Sequence, residues 1–306
     1  MLKKLIKHEY KAVWKFLAIA AAFMVIMTIV GAAGIYILTP EATVYSDYVR
    51  DYNDNVSGGA ATATFDFSSL LAGLYVMAYV AAVFLLTAGT YIYLWMRFDK
   101  SMYGHQGYLT NTLPTTPAKL ILAKLITAVS WVCLSITLLI GSVFALLAAI
   151  RAASGSELTN NVPDLFADLK QAGVSVPGMI ILFVLLVFAA IIMSVLMMYG
   201  ASALGQLAKK SRVIATIAFY YAMTMVINFV GTFIMSATFR SFTQKASAHF
   251  GGSGLYLDNH NYIEQIGLVY RSVSWTALIF LILIIAGSIA LYFLTHHVTS
   301  KRLNLE

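Results

Sequence analysis

Ionisable residues are scarce in this chain, and cysteine and proline are scarcer still. Charged residues make up 11% of it, against about 25% in an ordinary soluble domain. The single cysteine, Cys133, excludes an intramolecular disulfide and is silent about redox compartment. The dipeptide Gly-Lys does not occur, which excludes a phosphate-binding loop of the GxxxxGK[ST] kind. His8-Glu9 opens an HExxH-like pattern, but the second histidine position is Ala12, and two histidines one helical turn apart are what such a zinc site needs. There is no GxSxG nucleophile elbow and no Cys/His cluster with metal-ligand spacing. The sequence therefore predicts no catalytic residue, no metal and no cofactor bound by this chain, and no enzymatic activity of its own.

What the chain has in abundance is apolar length. Hydrophobic residues make up 60% of it. Six apolar stretches run over 16–38, 68–96, 120–150, 178–208, 213–239 and 272–296. Each suffices to cross ~30 Å of hydrocarbon at ~20 residues per span. In lipid such a stretch must be helical, because only a helix satisfies its own backbone groups. The prediction is an all-α integral membrane protein of six transmembrane helices, one domain over 1–306. The first stretch reads as a retained anchor, since its basic flank and apolar run are both too long for a signal peptide.

The net charge of +7 is distributed for a membrane, not for nucleic acid. With the N-terminus inside, fourteen Lys and Arg fall on inner segments and six on outer ones. Ten of the thirteen acidic residues fall outside. This split fits the positive-inside rule and places both termini in the cytoplasm. The cores of spans one, two, four, five and six contain no Asp, Glu, Lys or Arg, and Lys124 lies near the inner end of span three, where it can snorkel. Proton- and voltage-coupled machines place charges at mid-membrane. Their absence argues against proton coupling; a Na⁺-coupled machine could still use broken helices and backbone carbonyls, but the composition favours energy input from another polypeptide.

Residues 2–17 read LKKLIKHEYKAVWKFL. At helical spacing Lys3, Lys4, Lys7, Lys11 and Lys15 share one face, and Leu2, Leu5, Ile6, Tyr10, Val13, Phe16 and Leu17 the other. That is an amphipathic helix at the inner interface, its basic side toward anionic lipids. The plainer reading is a positive flank that only sets orientation. Glu9 falls on the apolar side. Tyr75, Tyr79, Tyr91 and Tyr93 in span two, with Met193, Met197 and Met198 in span four, are candidates for a pathway lining. More commonly, tyrosine in a span anchors it at the membrane interface and methionine fills gaps between helices. Spans four and five are joined by the short segment AKKSR, 208–212, and so form a tight hairpin. Gly200, Ala201 and Gly205 near its end allow close packing.

The most distinctive stretch is RFDKSMYGHQGYLTNTLPTTPAKLILAK, 97–124. Tyr103, Tyr108, Leu109 and Leu113 are apolar on a cytosolic loop, and exposed apolar groups of this sort mark docking surfaces. Thr116-Pro117 has the form of the Ncap and N1 of span three.

Together with the Lys-rich opening MLKKLIKHEYK and the six-span plan, the GYLTNTLPTTPAKLILAKL segment resembles the ABC-2 type permease family, the membrane subunits of type V ABC exporters. The resemblance covers the whole chain in plan. Its most specific part is Gly107-Tyr108-Leu109 followed by Leu113-Pro114. Many members carry acidic residues just ahead of that motif; here Tyr103-Gly104-His105-Gln106 stand there, with Asp99 the nearest acid. The resemblance implies an N-terminal elbow helix over 2–17 and a coupling helix within 97–119. It implies that Tyr103, Gly104, His105, Gln106, Gly107, Tyr108, Leu109, Leu113 and Pro114 dock on ABC ATPase subunits. Those partners would hold the ATP and Mg. A second permease chain, identical or related, is implied as well, in the plasma membrane of a bacterium. The implied function is export of an amphiphilic cargo: a peptide, an antibiotic or a lipid-like molecule. The rival readings are a self-contained secondary transporter or channel, and a non-transporting membrane sensor or scaffold.

Overall fold

A computed structural model describes the backbone of residues 2–55, 67–104, 117–154, 167, 169–208, 211–250 and 262–301, and the side chains of 3–35, 70–104, 118–153, 167, 169–208, 211–244 and 266–300. The elements are α1 (Leu2–Asn55), α2 (Phe67–Met102), α3 (Pro117–Ser154), α4 (Val176–Gly205), α5 (Arg212–Phe250) and α6 (Tyr262–Lys301). No strand occurs among the described residues. Each helix contains a stretch long and apolar enough to cross a membrane: Lys3–Ile35, Leu70–Met102, Ala118–Ala153, Val176–Gly205, Arg212–Gln244 and Ile266–Ser300. These six long apolar helices make the chain a multi-pass membrane protein.

The helices overrun the apolar stretches. Residues 2–17 are the first turns of α1, which continues unbroken to Asn55. At ~1.5 Å per residue it is longer than any bilayer is thick. Hydropathy marks where lipid ends, whereas backbone hydrogen bonding decides where a helix ends. Pro117 opens α3, where its missing N–H has no intrahelical partner to lose. Pro177 lies in the first turn of α4.

Hydroxyl residues inside the helices turn back on their own backbone. Thr28 donates to the Met24 carbonyl at 2.8 Å, Thr87 to Val83 at 2.8 Å and Thr127 to Ala123 at 3.0 Å. This bonding lets polar side chains lie at membrane depth without unsatisfied groups. Large apolar side chains point outward: Met225 is 75% exposed and Phe229 76%. In water such a surface would aggregate; in lipid it is the solvated face.

The described helices group into two compact units. One comprises Met1–Ile6, Trp95–Val129 and Asn161–Glu306, the other Lys7–Leu94 and Ser130–Asn160. In the first, α4 packs against α5 and α6, which also touch each other. Gly205 makes the α4–α5 contact close, since a Cβ there would overlap Thr216 Oγ1 and lie 3.0 Å from the Thr216 Cα. In the second unit, Met24, Ala82 and Leu86 form a buried cluster with Met27, Tyr79 and Leu139 around it.

Candidate functional site

The ends of α2 and α3 that flank residues 105–116 are tied into the first unit by a knot of aromatic and polar contacts. Phe98 on α2 stacks on Tyr199 of α4, with centroids 3.7 Å apart and planes at 9°. Tyr103, just past the end of α2, meets Phe98 edge-on at 6.0 Å. The Tyr103 hydroxyl shares a 3.2 Å hydrogen bond with Thr299 of α6. Trp95 Nε1 donates to Ser202 Oγ of α4 at 2.8 Å. Gln206 Nε2, at the end of α4, donates to Asp99 Oδ1 at 3.2 Å, and the Arg212 charge acts on the same carboxylate. Lys124 of α3 donates to Ser101 Oγ at 2.7 Å, and the Tyr199 hydroxyl donates to the Lys124 carbonyl at 3.2 Å.

Two consequences follow from burial. The Lys124 side chain is only 6% exposed, so it turns into the protein rather than snorkelling outward. Bonding to Ser101 is what makes that orientation tolerable, because a buried ammonium needs hydrogen-bond acceptors. Burial also pushes the Tyr103 hydroxyl up to about 12, against the opposing effect of the Thr299 bond and with the Asp99 charge adding to it. Tyr103 therefore keeps its proton throughout the physiological range.

Of the docking residues expected from sequence, Tyr103 and Gly104 are described, in a turn closed by bonds from both their amides to the Asp99 carbonyl at 2.9 and 3.2 Å. His105, Gln106, Gly107, Tyr108, Leu109, Leu113 and Pro114 lie outside the described residues. Lys3, Lys7, Lys11 and Lys15 are all exposed. The candidate pathway residues divide between the two units. In one, the Tyr75 hydroxyl donates to the Met27 carbonyl at 3.1 Å and Tyr79 bonds Ser142 Oγ at 2.7 Å. In the other, Met193 and Met197 line a cavity.

That cavity, of about 780 Å³, lies among α4, α5 and α6. A second, of about 420 Å³, shares Met235, Phe239 and Phe280 with it. A third, of about 410 Å³, shares Leu186, Val269, Val273 and Ala277 with the second. The series leads from Met193 and Met197 toward Val174 and Tyr270, where Ser175 Oγ and Tyr270 Oη share a 3.0 Å hydrogen bond. Among the described residues no charged side chain lines any of the three. The arrangement can admit an apolar or amphiphilic molecule and offers nothing to neutralise an ion.

Sequence reasoning picked out Met193 and Met197 but passed over the polar wall opposite them. Thr224, Asn228, Thr232 and Ser236 recur every fourth residue along α5, and that spacing was the available signal. The knot left no such trace, because Trp95 and Ser202, or Tyr103 and Thr299, are joined only by the fold. Comparison with family models, with curated proteins and with solved structures finds no match to this chain.

Proposed function

We propose that this chain is the permease subunit of an ATP-driven exporter that moves an amphiphilic cargo out of a bacterial cell. The observation that supports this most is mechanical. The α2 end of the 105–116 segment is fastened to α4 and α6 and the α3 end to α4, and the same two helices line the cavity series. A push on that segment is delivered through Phe98–Tyr199 and Tyr103–Thr299 to the walls of the cavities. The chain has no phosphate-binding loop, so the push comes from separate ATPase subunits docked on Tyr103–Pro114, which hold the ATP and Mg. A second permease chain completes the transporter. The basic first turns of α1 rest against anionic headgroups on the cytoplasmic side, each lysine contributing ~1 kcal/mol near such a surface.

Affinity purification of the full chain from its own cells, with the ATPase activity of the eluate measured, tests this reading. The eluate should hydrolyse ATP through a co-purifying subunit that bears a phosphate-binding loop. Tyr108→Ala combined with Leu109→Ala should cut that recovery at least several-fold, as loss of apolar anchors at an interface does. Full ATPase association in the double variant would reduce the segment to a connector. Cargo uptake by the purified chain alone, in vesicles free of any ATPase, would favour the self-contained transporter instead.

A further inference from the structure

Asn228 stands at the midpoint of the span Arg212–Gln244. It borders the roomiest of the three cavities just described. Its neighbours on the same face dispose of their polarity locally: Thr224 donates to the Tyr220 carbonyl and Ser236 to the Phe233 carbonyl, each at 2.8 Å. Among the described residues the Asn228 carboxamide makes no hydrogen bond, and neither does Thr232 one turn on. A bare carboxamide in hydrocarbon is strongly unfavourable. Something with hydrogen-bonding capacity must meet it.

We infer that the cavity among α4, α5 and α6 is the cargo-binding site, and that Asn228, supported by Thr232, recognises an uncharged, amide-bearing apolar molecule such as a hydrophobic peptide or an N-acyl amino-acid amide. This rests on the exporter reading for the word cargo; the binding chemistry rests on the cavity alone. A carboxamide presents a donor and an acceptor side by side, the complement of the C=O and N–H of another amide. An ester or ether could use only half of that pattern. The rest of the lining is mostly soft and apolar: Met193 and Met197 on α4, whose neighbour Ser194 bonds the Ile191 carbonyl, Phe280 on α6, and Met235 and Phe239 further along α5 itself; methionine adapts to side chains of varied shape. The absence of charge from the lining excludes an ionised group at this depth, where an unpaired charge is costly. About 780 Å³ lies within the range of sites for drug-sized molecules, ~300–1,000 Å³. The two adjoining cavities continue the apolar wall toward Tyr270 and give the molecule a way along α4 and α6.

The test uses the full chain in lipid nanodiscs, without any ATPase. The probe is N-octanoyl-leucyl-leucine amide carrying a diazirine, with a matched ester in which oxygen replaces the central N–H. Irradiation should label peptides containing Met193, Met197 or Met235. Asn228→Leu, close in size and apolar, should raise the half-saturating probe concentration about tenfold, the scale of one buried hydrogen-bonded group. Asn228→Gln should restore most of the loss. The ester should bind the native chain about as weakly as the amide binds Asn228→Leu, and that variant should not weaken it further. Thr232→Val should give a smaller loss of amide labelling and serves if Asn228→Leu fails to elute as a folded species.

Labelling that ignores Asn228→Leu, or that maps outside these helices, overturns the inference. So does a disulfide between two copies of Asn228→Cys in a Cys133→Ser background, which would put a second copy of α5 against the stripe. The failures separate cleanly. Intact labelling with no ATPase in the native purification sinks the exporter and leaves the site. Lost labelling with the ATPase retained sinks the site alone.

Discussion

Two tryptophans show how much a single bond matters at depth. Trp95 Nε1 donates to Ser202, which is fully buried. Trp131 Nε1 is buried with no hydrogen-bond partner among the described residues, although its ring lies 5.6 Å from Tyr10. The same change to phenylalanine therefore does different things. Trp95→Phe removes a made bond and strips the Ser202 hydroxyl of its donor. Trp131→Phe removes a donor whose burial was already unfavourable, which offsets part of the packing lost. Thermal unfolding of the purified chain in detergent should show Trp95→Phe the more destabilising by ~1 kcal/mol. The reverse order would mean that the knot at the end of α2 is loose. Neither difference is legible in the sequence. A tryptophan in an apolar run looks the same whether its partner exists or not, and Ser202 is brought to Trp95 only by folding.

At the scale of the helix, the α4–α5 hairpin depends on one missing methyl. A Cβ on Gly205 would overlap Thr216 Oγ1 and fall 2.9 Å from the Thr216 Cβ and 3.0 Å from its Cα. The last two distances cannot be relieved by a rotamer change, so Gly205→Ala must separate the two backbones. The expected loss is ~1–3 kcal/mol, typical of overpacking. Gly89→Ala is the control, because nothing lies within 4 Å of its added methyl. Comparable melting temperatures for the two variants would show the hairpin contact to be unimportant. Here the sequence was informative: a five-residue connection with small residues before it announced close packing. The six apolar stretches likewise announced six helices. What they did not announce were the extensions, α1 to Asn55 and α2 to Met102. The α1 extension holds Pro40 and several Thr, Ser, Asp and Asn, all poor helix formers, so propensity does not announce it either, and a hydropathy profile detects solvent, not hydrogen bonding. The polar stripe of α5 was legible in its spacing, yet only the cavity beside it gives Asn228 a meaning.

For the whole molecule the first question is which way it faces. By the positive-inside rule, the fourteen-to-six split of Lys and Arg predicts that the segments at residues 55 and 259 face outward and the α4–α5 turn inward. In a Cys133→Ser background, single cysteines at Asn55 and Asn259 should react with a membrane-impermeant maleimide added to intact cells. A cysteine at Ser211 should react only after the membrane is opened. Labelling of Ser211→Cys from outside would invert the molecule, and with it the direction of any transport. The uncharged lining of the three cavities has an electrical consequence as well. A charge crossing the membrane potential exchanges ~2.3 kcal/mol with the field for every 100 mV. A neutral passenger moving along neutral walls exchanges none. On the exporter reading, a cell could then lose its membrane potential without reversing or driving the flow of such a passenger, and accumulation against a gradient would have to be powered chemically.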